Sequence, residues 1–268
     1  MDAAPIQALP VVAGGVAYAR RVRTLGRRGG RAPSPRAQAC FWAGLAIVAA
    51  ALLSPIDRIG EHDLFWVHMV QHLLLGDVGP LLLVLGLNGA LLRPLLAARG
   101  IGRLRVLAHP LVALPLWAAT FCFWHLAGPY DAALRHDALH ALEHGMFFTT
   151  GAFMWAAVVE PLPGPAWFGT AWKAAYTLVV RVVGMALANV FIWSGHSFYP
   201  WYGSVHDQRI GGLIMFSEGG VVTLVAFGLL FVRWMREAEL RQQLLDDGHD
   251  PRAAERAARF GRSPLARR

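Results

Sequence analysis

The run LFWVHMVQHLLLGDVGPLLLVLGL, residues 64–87, holds a single formal charge, Asp77. As a helix at ~1.5 Å per residue it reaches roughly 36 Å, enough to cross a hydrocarbon core of ~30 Å. Two histidines stand four residues apart on it, His68 and His72. Six further apolar runs, at about 3–19, 39–54, 110–127, 135–159, 171–194 and 210–232, repeat the pattern along the chain. The first is short and carries Pro5 and Pro10, and with Asp2 and no arginine before Arg20 it lacks the basic leader of a signal peptide. It is read as a span. The expectation is an all-α, polytopic membrane helix bundle of about seven transmembrane helices over residues 1–232, with a basic tail at 233–268.

Composition agrees. Of 268 residues, 56% are hydrophobic and 16% charged, against about 25% charged in ordinary soluble domains. Disorder is excluded, and a soluble enzyme is a poor fit. The net charge of +8 does not point to nucleic acid, because the arginines lie between apolar runs and not along one polar face. Cys40 and Cys122 fall in different runs, so no disulfide framework is implied. Past Trp234 the chain turns Arg- and acid-rich, and Leu240, Leu244 and Leu245 at helical spacing suggest a short amphipathic cytoplasmic helix able to rest on membrane lipid.

The basic residues set the orientation. Arg20, Arg21, Arg23, Arg27, Arg28, Arg31 and Arg36 join the first two runs, Arg93, Arg99, Arg103 and Arg105 join the third and fourth, and nine arginines follow from Arg233. With Lys173 beside the loop joining the fifth and sixth runs, 21 of 25 basic residues fall on one side. The positive-inside rule then places the N-terminus outside and the C-terminus in the cytoplasm. Under that topology His62, His68, His72, His125, His136, His140, His144, His196 and His206 map to the outer half or outer loops, and only His109 and His249 to the inner side.

Two of these groups have metal-binding spacing. His68 and His72 in HMVQH, and His140 and His144 in HALEH, each share a helix face. Counted from the outer ends of their runs, the pairs lie roughly 6 and 12 Å and roughly 7 and 13 Å deep. His125 sits near the outer end of the fourth run. A lone membrane histidine is more often a helix contact than a ligand, but two depth-matched pairs plus a third helix favour a metal held by His68, His72, His125, His140 and His144. Imidazole suits copper and zinc alike, whereas thioether or thiolate from Met69, Met146 or Cys122 shifts preference toward copper(I).

Four charges fall inside runs: Asp77, Glu143, Arg181 and Glu218. Charges at that depth cost about 2.5–3.5 kcal/mol each on insertion scales, so each calls for a partner. Glu143 is placed to accept from a histidine of a neighbouring helix. Arg181 with Asp77 or Glu218 reads as a structural ion pair, with a proton or ion relay as the sharper alternative.

The segments SPIDRIGEHDLFWVHMVQHLLL (54–75), FWHLAGPYDAAL (123–134), LHALEHGMFFTTGAFMW (139–155) and YPWYGSVHDQRIGGLIM (199–215) resemble, in that order, the multispan CtaG family of bacterial cytochrome c oxidase assembly proteins. The resemblance covers nearly all of residues 5–232. It implies a multi-pass protein of the bacterial plasma membrane that serves maturation of a haem–copper oxidase, with the subunits of that oxidase as partners, a link to copper and no catalytic residue. It marks His68, His72, His125, Asp131, His140 and His144, and the Asp207–Gln208 pair leading into Gly211–Gly212. Two other functions compete. One is a seven-span zinc hydrolase of lipid amides using three histidines with Asp131 or Glu143 as base. The other is a bis-histidine haem protein, for which paired ligands on one helix are redundant.

Overall fold

The computed structural model of the chain describes residues 4–98 and 101–260; Arg99 and the tail beyond residue 260 lie outside them. Every element among these residues is helical. Helix α1 is Ala4–Arg27 and α2 is Pro35–Leu53. Ser54 both ends α2 and caps α3 (Pro55–His62), its hydroxyl accepting from the Ile56 amide at 3.3 Å, with Pro55 at the first helical position, where its missing N–H costs nothing. The short α3, eight residues long, packs against α4 and α2 and is too short to cross a membrane.

The decisive run forms α4 (Phe65–Leu73), a π-turn (Leu74–Val78) and α5 (Gly79–Leu85). Pro80 explains the π-turn: proline has no N–H and its ring crowds the carbonyl four residues back. The helix widens one turn earlier, the Gly79 amide bonding the Leu74 carbonyl five residues back. The helices α6 (Gly89–Ala97), α7 (Pro110–Trp124), α8 (Ala127–Arg135), α9 (Asp137–Val159), α10 (Thr170–Trp193), α11 (Val205–Asp246) and α12 (Pro251–Phe260) follow.

All seven apolar runs are helical, and four helical stretches are long and apolar enough to cross a membrane: Pro35–Leu53, Phe65–Leu85, Thr170–Trp193 and part of Val205–Asp246. The bent pair α7–α8, turning 71°, makes a fifth if it counts as one span. The first and fifth runs fall short of that measure because α1 ends in arginines and α9 opens on Asp137, His140, Glu143 and His144. Leu224 and Leu229 of α11 are 73% and 68% exposed, and apolar surface of that extent on long helices belongs in lipid.

Where helices touch closely, glycine makes the contact. A Cβ at Gly151 of α9 would overlap the Gly76 carbonyl of the π-turn. Such close approach of backbones is how membrane helices gain packing energy without a hydrophobic drive between them.

The tail departs from expectation. Past Trp234 no separate helix begins; α11 runs on for 42 residues, because Arg, Glu, Leu and Gln are all good helix formers and Arg233 pairs with Glu237 at 2.7 Å. The chain reverses at Gly248 (φ 80°) and α12 packs back on α11. Arg259 fastens it, donating to the Ala166, Pro165 and Phe168 carbonyls and to Glu160, which also takes a 2.6 Å bond from the buried Lys173.

Candidate metal centre

The expected histidines converge. His68 and His72 of α4, His140 and His144 of α9 and His125 at the end of α7 are all buried, between 0% and 6% exposed. Ring centroids are 4.3 Å apart for His68–His72, 4.1 Å for His140–His144, 5.3 Å for His68–His140, 5.6 Å for His72–His144 and 5.8 Å for His72–His125. Two groups bring their ligand atoms within 4.8 Å of one another: His68, His140 and His144, and His68, His72 and Glu143. His68 belongs to both. His125 stands behind His72, outside either group.

Hydrogen bonds fix which ring nitrogen faces inward. The His125 Nδ1 lies 2.7 Å from the Phe121 carbonyl. A carbonyl only accepts, so Nδ1 carries the proton and Nε2 is bare. The Tyr202 hydroxyl donates its one hydrogen to the Gly60 carbonyl at 2.6 Å, and its oxygen therefore accepts from His68 Nδ1 at 2.9 Å. Tyr130 adds a second hydroxyl 2.9 Å from the same nitrogen. His140 Nδ1 faces Glu61 at 3.5 Å. The Nε2 atoms of His68, His125 and His140, together with those of His72 and His144, are buried with no hydrogen-bond partner. Oriented imidazoles whose far nitrogen is held by a carbonyl, hydroxyl or carboxylate are the arrangement metal-binding histidines adopt.

Glu143, wholly buried, sharpens the point. Its Oε1 is 3.6 Å from His72 Nε2 and neither carboxyl oxygen has a hydrogen-bond partner. Glu143 thus faces a histidine of a neighbouring helix, as its position suggested, but at 3.6 Å it does not accept a hydrogen bond from it. Buried unpaired polar groups are costly, and a cation held by His68, His140 and His144, or by His68, His72 and Glu143, would give the donors of that group a partner. The donors present fit copper or zinc. Cys122 is exposed, while Met146 packs beside Trp124 and Met69 is in the aromatic core, so neither group contains sulfur.

The scaffold around the site is built from residues the histidine spacing did not flag. Helix α4 has no capping side chain of its own. Asp207 of α11 supplies one, accepting from the Phe65 and Trp66 amides at 2.8 and 3.1 Å. Gln208 holds the 194–204 loop through Phe198 and His196. A Cβ at Gly211 would lie 2.6 Å from the Phe65 ring. Asp207 and Gly211 therefore seat α11 against the histidine-bearing α4, while Gly212 lies against Ala188 and Phe191 of α10. Asp131 stands apart, one oxygen buried without a partner. Over the site the loop lays an aromatic roof: Tyr199 stacks on Tyr130 at 4.0 Å and donates to the His125 carbonyl at 2.7 Å. Glu61 on α3, outside the spans, is held below its ordinary carboxylate value chiefly by its hydrogen bond with His140, so it faces that histidine as an anion.

The family described as cytochrome c oxidase caa3 assembly factor (Caa3_CtaG) matches residues 16–237. Uncharacterized proteins of Mycobacterium bovis and Mycobacterium tuberculosis are each 26% identical over 248 residues, covering 83% of this chain and 37% of theirs. One of Mycobacterium leprae is 25% identical over 214 residues, covering 69% of this chain and 32% of its own. The chain thus spans about a third of the length of these relatives. No solved structure matches.

Proposed function

The chain belongs to the cytochrome c oxidase caa3 assembly factor family, and we propose that its task in assembly is to bind copper at the buried histidine cluster and pass it to a subunit of a haem–copper oxidase in the same membrane. The observation that carries this reading is the set of five buried histidine Nε2 atoms left without partners, together with the unpaired carboxyl of Glu143. An assembly factor that only steadied a folding subunit has no need of such a set. We read the ligands as His68, His72, His140 and His144, with His125 closing the far side of His72. The test is metal analysis of purified protein loaded with copper(I) and zinc in competition. Wild type is expected to retain copper and a His68→Ala/His72→Ala double variant to retain little; zinc alone, or equal metal in both, overturns the reading.

The site's direction follows from charge. With 21 of 25 basic residues on one side, we read seven spans in the plasma membrane, the N-terminus and the histidines toward the outside and the tail in the cytoplasm. In a background with Cys40 and Cys122 replaced by serine, a cysteine at position 62 or 206 is expected to react with an impermeant thiol reagent in intact cells. One at position 236 is not. The reverse pattern would invert the site.

A further inference from the structure

One group of buried charges is left unused by the metal centre. A cavity of about 70 Å³, room for on the order of two to five waters, is lined by His72 and His125 and also by Asp77, Arg181 and Glu218. Asp77 lies five residues, roughly 7 Å, further along the helix from His72. Asp77 and Glu218 both line this cavity, and two carboxyls so placed in a low-dielectric interior cannot both ionise, so the pair holds a proton. Trp155 Nε1 donates to Asp77 Oδ1 at 2.6 Å, while Glu218 Oε1 is buried without a partner. Arg181 does not neutralise the pair as an ion pair would: its guanidinium donates to the Phe216 carbonyl at 2.6 Å and lies over the Phe216 ring at 4.7 Å. The charged or titratable groups facing the pair are Arg181 from α10, His72 from α4 and His125 from α7. From α9 it meets Trp155, and α2, packed behind the π-turn, turns Val48 and Ala51 toward Leu75.

A cation entering a cluster of neutral imidazoles brings unscreened charge into a low-dielectric interior, and an acid able to release a proton nearby cancels it. We propose that the Asp77–Glu218 pair is the removable counter-charge of the metal centre: a monovalent cation enters, the pair's proton leaves through the cavity to outer water, and return of the proton favours release of the cation. One positive charge goes in and one comes out, so the buried charge is unchanged. The inference rests on the metal-binding reading above.

The test adds silver(I), a redox-inert stand-in for copper(I), to the purified full-length protein in weak buffer. At about pH 7.5 exposed imidazoles, with an ordinary value of ~6.5, carry few protons. Wild type is expected to release close to one proton per silver ion bound, and Asp77→Asn and Glu218→Gln to bind silver more weakly and release almost none. The infrared carbonyl band of a protonated carboxyl should vanish from wild type on silver binding, a readout that needs no variant. Equal proton release by wild type and both variants, or a band that silver leaves unchanged, overturns the counter-charge while leaving the metal centre standing. Failure of wild type to bind silver overturns both.

Discussion

Alanine in place of any one of His68, His72, His140 or His144 is expected to weaken copper binding at least ~100-fold, since loss of a mere orienting partner of a metal histidine already costs about 10–100-fold. The protein itself should stay in the membrane at near-normal abundance. Cells carrying such a variant should accumulate oxidase depleted of copper. Pairing one substitution on α4 with one on α9 should add little, as a site broken once has little left to lose. Excess copper in the medium should partly restore oxidase activity to the single variants. Unchanged metal content in all four, with oxidase still defective, would point to a contact surface and away from a metal centre.

A second large effect is expected from a residue that touches no metal. Gly151→Ala places a methyl group against the Gly76 carbonyl, and the backbone there has no slack. Helix α9 must move off the π-turn, carrying His140 and His144 away from His68 and His72. Copper affinity should fall roughly tenfold or more with every ligand still present, alongside ~1–3 kcal/mol of lost stability from overpacking. Gly145→Ala is the control: it lies beside His144 on the same helix, a Cβ there meets nothing within 4 Å, and binding should be unchanged. Equal copper retention in both variants would show that the spacing of the two helices does not matter to the site.

The histidine cluster was readable from spacing because helical periodicity carries residues four apart to one face, and two such pairs at one depth need only adjacent helices to meet. Its supports were not. Tyr202, Glu61 and Asp207 act on helices far from them in sequence; Asp207 caps Phe65 from 142 positions away, a pairing that local pattern cannot encode. The 194–204 loop carried a trace, Tyr199, Trp201 and Tyr202 being an unusual aromatic density for a connection, but nothing in it named a partner. Arg181 misled for the opposite reason. Its depth implied an acidic partner, and Glu218 does lie near enough to act on it electrostatically, but its guanidinium donates to the Phe216 carbonyl and lies over that ring, with no carboxylate among the described residues within ion-pair distance. The helix carrying Leu240, Leu244 and Leu245 was legible in their spacing, but its continuity with the last apolar run was not, because helix propensity is indifferent to whether a face meets lipid or water.

The unbroken α11 has a mechanical meaning. At ~1.5 Å per residue its 42 residues form a rod of roughly 63 Å, with Asp207 holding α4 at one end and the α12 latch on Glu160 and the 165–168 carbonyls at the other. A rigid rod transmits tilt: about 5° around its midpoint shifts each end by roughly 3 Å over that length, comparable to the whole length of the capping bonds. A displacement of the Arg259 latch would therefore load the Asp207 bonds to α4 at the far end of the same helix.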